Sequence, residues 1–203
     1  MSLIAIDRQR KLDAHCRTYV IGNGKKTGYE YLTGYCCYTG KILGRTTDKS
    51  QNSVSIPTKF AKILREKRSR CVLHHNHPGG SSLSREDLLN ISRLPGTMFK
   101  YAHGHARQWY RAENLRSKHL DDCLIECDIT FLRCLISTHG MQARVPAMLR
   151  NHIFNLGLDR AKVVRYTYKL DAVTERLYDA VPGADVKGLV EAVCVGASNF
   201  RRT

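Results

Sequence analysis

The residues with the most chemistry in this chain form one stretch, Val72-Leu73-His74-His75-Asn76-His77-Pro78-Gly79-Gly80-Ser81-Ser82-Leu83-Ser84-Arg85-Glu86-Asp87. Side chains alternate along an extended strand, so His75 and His77 present two imidazoles to one point while His74 faces the other way. The Pro-Gly-Gly turn releases the chain. Asp87 then falls in the first turn of a following helix, where it can supply a third ligand. Two imidazoles, one carboxylate and an open fourth position make a hydrolytic zinc shell. Zinc in such a shell lowers the pKa of water to about 7. Ser84 and Asp87 also meet a purely local need, a serine N-cap with an acid three positions on. Three histidines in four residues, at a strand end and before a capped acid, exceed what packing alone asks for. Metal binding is the expected role of the set.

His75-Asn76-His77-Pro78, followed by Ser84-Arg85-Glu86-Asp87, resembles the motif of the JAB/MPN (JAMM) metalloprotease family in its bacterial RadC-like, phage-associated form. The resemblance covers roughly residues 15–112 and does not extend to the C-terminal part. It implies a mixed α/β fold related to cytidine deaminases, with zinc held by His75, His77 and Asp87 and an upstream glutamate as general base. The Pro78–Leu83 segment between second histidine and serine is one residue shorter than the usual family spacing, a form similar to phage- and toxin-associated members. Glu30 is the expected base. In Gly28-Tyr29-Glu30-Tyr31-Leu32-Thr33-Gly34-Tyr35 it enters a strand ahead of a Tyr-Thr-Gly-Lys turn, resembling the family glutamate. The other acids between residues 14 and 85 are Asp48, in a polar loop, and Glu66, in a basic helix end. The resemblance gives Glu30 the task of passing a proton from water to the leaving amine. It gives Ser84 that of a donor to the tetrahedral oxyanion.

These groups need a strand, a turn and a helix to hold them, and the surrounding pattern provides them. Up to about residue 116 the chain alternates short strands and helices. His15–Ile21 and Glu30–Tyr38 have strand composition, separated by a loop marked by Gly22, Asn23, Gly24 and Gly28. Tyr38–Lys41 reads as a hairpin turn into Ile42–Arg45. Pro57 opens a helix with Phe60, Ile63 and Leu64 on one face, ending near Arg68. A buried strand follows over 70–75, then a helix after Ser84 and strands over 99–102 and 108–112. Beyond Arg116 the period becomes 3.6, with a stripe of Leu120, Leu124, Cys127, Phe131 and Leu135 joined by Ile125, Leu132 and Ile136. Further helices are expected over 146–156, stopping at Gly157, over 161–177, and over 185–195. The expectation is therefore an α/β domain over 1–116, a JAB/MPN-type mixed sheet flanked by helices, with an all-helical extension over 117–203.

Charge is unevenly spread. The chain holds 33 Lys+Arg against 18 Asp+Glu, and residues 1–116 carry 21 of those bases against 8 of the acids. Such a field attracts nucleic acid or acidic protein. The run Lys62, Arg65, Lys67, Arg68, Arg70 suits a helix C-terminus or a docking patch for an acidic partner. The eight cysteines, Cys123 and Cys127 included, read as buried thiols rather than a disulfide framework, and the N-terminus lacks the charge order of a signal peptide. No apolar run is long enough for a membrane span, and the expected compartment is the cytosol. His103 and His105 share the i, i+2 spacing and are candidates for supporting the site or touching substrate. The leading expectation is a zinc peptidase or isopeptidase acting on a peptide, a protein or a ubiquitin-like conjugate. Two alternatives stay open. One is a metal-dependent nuclease or DNA-associated protein, although the longer hairpin-helix unit of His-Asn-His nucleases is missing. The other is a non-catalytic interaction module.

Overall fold

The computed structural model describes residues 2–115 and 120–200. The expected boundary at 116/117 lies outside the described residues. The chain is α/β, with one six-stranded mixed sheet in the order β2-β1-β3-β4-β5-β6. These strands are β1 (Leu32–Cys36), β2 (Ile42–Thr46), β3 (Cys71–His77), β4 (Thr97–Gly104), β5 (Trp109–Asn114) and β6 (Val164–Lys169). All neighbours are antiparallel except β3 and β4, which run parallel. That parallel step needs a crossover, and α3 (Arg85–Arg93) supplies it.

The central strand β3 is buried along its whole length because both its faces are covered. On one face Val72, Tyr35 and Phe99 pack against Cys16 and Leu12 of α1 (Ile6–Thr27). On the other, Leu73, Cys71 and Leu32 meet Phe60 and Leu64 of α2 (Thr58–Leu64). Farther along, α3, Ala102, Tyr110 and Ala112 join one cluster with α4 (Leu120–Ser137), α6 (Ala147–Arg160), β6 and α8 (Gly183–Phe200). Two short helices, α5 (Met141–Arg144) and α7 (Ala172–Asp179), complete the C-terminal region.

Four expectations are corrected. The segment His15–Ile21, with the glycine-marked loop after it, is one 22-residue helix, α1, that ends at Gly28. Its buried residues Cys16, Val20 and Gly24 recur every four positions, so one narrow stripe lies on the sheet. Gly24 is required there, because a Cβ would strike the Asn76 side chain of β3. Helix α2 stops at Leu64 rather than near Arg68, which leaves Lys62 in its last turn and Arg65, Lys67, Arg68 and Arg70 exposed beyond it. Gly157 does not end α6. It lets α8 approach, since a Cβ would lie 2.6 Å from Val193. The helix expected over 161–177 is instead strand β6 followed by α7, so the C-terminal region is helical but not wholly so, and it gives the sheet its edge strand. Val-Arg-Tyr-Thr-Tyr-Lys alternates buried Val164 and Tyr166 with more exposed Arg165 and Thr167, a period of two.

Candidate metal centre

His75 and His77 leave the same face of β3, above Cys71 and Leu73, and their Nε2 atoms lie 2.9 Å apart. Asp87, the third residue of α3, places Oδ1 3.2 Å from His75 Nε2 and Oδ2 3.5 Å from His77 Nε2. One ligand atom from each of the three residues lies within 4.8 Å of the others. Ligands of a tetrahedral zinc at about 2.0–2.2 Å sit about 3.3–3.6 Å from one another. The His77–Asp87 distance matches that range, while the His75–Asp87 and His75–His77 distances are tighter, so the two rings must part slightly to share an ion.

The tautomer of His77 is fixed by its surroundings. Its Nδ1 faces the Ser81 carbonyl at 2.9 Å, and a carbonyl only accepts. The proton therefore sits on Nδ1 and the lone pair on Nε2, as a metal ligand requires. His75 Nδ1 is buried and has no hydrogen-bond partner among the described residues. Burial pushes its imidazole down to about 4, which keeps the ring neutral.

Asp87 serves two structures at once. Ser84 Oγ and the Ser84 backbone N–H both donate to Oδ2 at 2.8 Å, while Ser84 Oγ accepts from the Asp87 N–H at 3.2 Å. That reciprocal pair is a capping box. Oδ1 receives the buried Lys100 ammonium at 2.8 Å. Burial alone would raise the Asp87 carboxyl, but His75, Lys100 and His77 outweigh it and hold the group well below the usual range. The local capping role and the convergence on the histidines are thus not alternatives. The same helix start aims the carboxylate.

Glu30, only 6% exposed, puts Oε1 3.9 Å from His77 Nε2. Burial and the Asp87 charge push its carboxyl up to about 8, with Lys100 pulling the other way. Its place is held from the opposite side of β3. Asn76 Oδ1 accepts the Tyr31 N–H at 2.7 Å and Asn76 Nδ2 donates to the Tyr29 carbonyl at 3.0 Å, so both neighbours of Glu30 are tied to the strand.

The loop from Pro78 to Leu83 is anchored by the C-terminal region. Ser82 Oγ lies 2.6 Å from Tyr166 Oη, and Asn155 Nδ2 donates to Ser82 Oγ at 3.0 Å and to the Leu83 carbonyl at 2.9 Å. A cavity of about 260 Å³ opens over the cluster, bounded by Glu30, His75, His77, Ser81, Ser84 and Asp87. All five site residues expected from sequence meet in it. Asn76 and Lys100 were missed, as were the anchors Asn155 and Tyr166. The one sequence signal for Lys100 is a lysine inside the otherwise apolar run Met98–Ala102.

His103 and His105 do not join this group. His103 Nε2 lies 3.0 Å from His74 Nδ1 on the other side of the sheet, and His105 Nε2 lies 3.1 Å from Asn76 Nδ2. Cys123 and Cys127 are buried in the helical core, and no disulfide joins any of the cysteines among the described residues. Among the described residues, no helix is long and apolar enough to cross a membrane. No family model matches the chain, and no curated protein or solved structure matches it.

Proposed function

We propose that this protein is a zinc-dependent peptidase or isopeptidase of JAB/MPN type. One observation carries the reading: His75, His77 and Asp87 converge at a cavity beside a buried carboxylate, Glu30, whose Oε1 lies 3.9 Å from His77 Nε2. The motif resemblance supplies the choice of zinc and of an amide bond.

A divalent ion held by His75 Nε2, His77 Nε2 and Asp87 supplies a Lewis acid and lowers the pKa of water. The protein's own groups do the rest. Glu30, buried with Oε1 3.9 Å from His77 Nε2, is placed to take a proton and hand it to the departing amine nitrogen. Ser81 holds the His77 ring and Lys100 holds Asp87 from behind. Ser84 donates its hydroxyl proton to Asp87 Oδ2, and we assign it to positioning Asp87 rather than to the oxyanion.

The test is a panel of zinc-loaded protein against unstructured peptides, ubiquitin-like conjugates joined through lysine, and duplex DNA. Amide cleavage in one of the first two, lost about 10²–10⁴-fold in Glu30→Gln with metal content retained, is the expected result. Cleavage of DNA alone would replace the peptidase reading with the nuclease one.

A further inference from the structure

Helix α4 has two apolar faces. Leu120, Leu124, Cys127, Phe131 and Leu135 are buried against the rest of the molecule. The second stripe, Ile125, Ile129, Leu132 and Ile136, is exposed, and Ile136 is 66% exposed. Its spacing is four, three, four, which is the seam of a coiled coil rather than a scatter of surface residues. It runs about 16 Å along the helix at 1.5 Å per residue. We infer that this face pairs with α4 of a second copy of the chain, antiparallel and about a two-fold axis.

The stripe is complementary to itself in that orientation. Turning the helix end for end about its midpoint sets Ile125 against Ile136 of the other copy, and Ile129 against Leu132. The most exposed side chain, Ile136, then faces a groove of about 370 Å³ bounded by Asp122, Ile125, Glu126, Asn199 and Phe200, which gives the knob a hole. Charge agrees with this register. At 100° per residue Glu126 and Arg133 lie on one flank of the stripe. In a two-fold antiparallel pair the same flank meets itself, so each Glu126 lies within about 3 Å, along the axis, of Arg133 from the other copy. Neither residue forms an ion pair among the described residues, so both are available to do so. On the other flank Asp128 is already matched by Arg85 at 3.1 Å.

A parallel pairing would fail on the same charges, because Asp121, Asp122, Glu126 and Asp128 cluster in the N-terminal half of α4. The antiparallel arrangement moves the two acidic halves apart. The local charge opposes association little, since residues 117–203 carry 12 Lys+Arg against 10 Asp+Glu and most of the chain's positive excess lies in residues 1–116. A second copy is therefore favoured over a basic partner. Such a partner would answer the acids, but it would not explain why Arg133 sits at the distance that meets Glu126.

Sedimentation equilibrium of the full chain tests this. The expected mass is twice the 23.0 kDa of one chain. Leu132→Glu should give the single-chain mass with an unchanged circular dichroism spectrum. Glu126→Arg should raise the dissociation constant about tenfold, and adding Arg133→Glu should bring it back. A monomer at every soluble concentration overturns the proposal. So does a dimer that survives Leu132→Glu, or a double charge reversal no tighter than Glu126→Arg alone. Metal content should be equal in all four proteins, which separates this outcome from that of the zinc reading.

Discussion

Adjacent residues of one strand build two histidine–aspartate clusters on opposite faces of the sheet, and they are finished differently. Behind the sheet, Asp13 of α1 accepts from Tyr35 Oη at 2.8 Å and faces His74 Nε2 at 3.1 Å, while His74 Nδ1 lies 3.0 Å from His103 Nε2. The rings of His74 and Tyr101 stack at 4.5 Å. Groups there are strung in line, each bonded to the next, up to His103, whose Nδ1 is buried with no partner among the described residues. On the cavity side the groups converge: His75, His77 and Asp87 point at each other, with Glu30 beside them. The linear chain uses its polar groups on one another; the convergent cluster turns three ligand atoms, all within 4.8 Å of one another, toward a single point. Residue types are nearly the same in both, so geometry rather than composition separates scaffold from candidate site.

The sharpest way to break that contrast is Asp87→Ala. It removes a candidate ligand, a helix cap and the partner of a buried lysine together. Leaving Lys100 uncompensated costs about 3–5 kcal/mol, to which the lost cap adds about 1 kcal/mol. Urea unfolding should show most of that loss, and the metal should be absent. Next in size is a pH effect at a further buried imidazole, His152, whose ring burial pushes down to about 4. The folded state keeps it neutral while the unfolded chain takes up a proton below about 6.5. Stability present above that pH is therefore lost as pH falls toward 4, by up to about 3 kcal/mol. In His152→Phe the acid limb of a stability–pH curve should flatten.

His74→Phe tests the back face. The ring space is kept but Asp13 and His103 each lose a partner, at a cost of about 1–3 kcal/mol. Metal content should not change. A His74→Phe protein that loses metal would mean the two faces are not independent. The smallest effect is expected from Asn155→Ala, which frees Ser82 and the Leu83 carbonyl from their shared donor. About 1 kcal/mol of stability should go, with a weaker grip on the metal as the Pro78–Leu83 loop loosens. Isothermal titration with zinc would read both changes.

The site was far more legible in the sequence than the frame around it. His75, His77 and Asp87 could be placed because strand alternation and helix capping are local rules, acting within a dozen residues. Lys100 and Asn155 reach the site only through long-range packing, which leaves no local pattern. The helix over Ile6–Thr27 was hidden by Tyr, Val and Thr near its middle and by Gly22 and Gly24. Gly24 looks like a loop marker in sequence and is a close-approach residue in the fold, set by Asn76 on a strand some fifty positions away. Strand β6 was missed for another reason. Ala161, Val164 and Tyr168 fit a helical period by chance, while the tighter Val164–Tyr166 alternation carries the strand.

Zinc stoichiometry by mass spectrometry on purified protein, set side by side for the wild type, His74→Phe and His77→Ala, tests the central claim most directly. About one zinc per chain in the first two, and none in the third, is the expected result. A metal-free wild type after zinc loading, or zinc kept by His77→Ala and shed by His74→Phe, would contradict it.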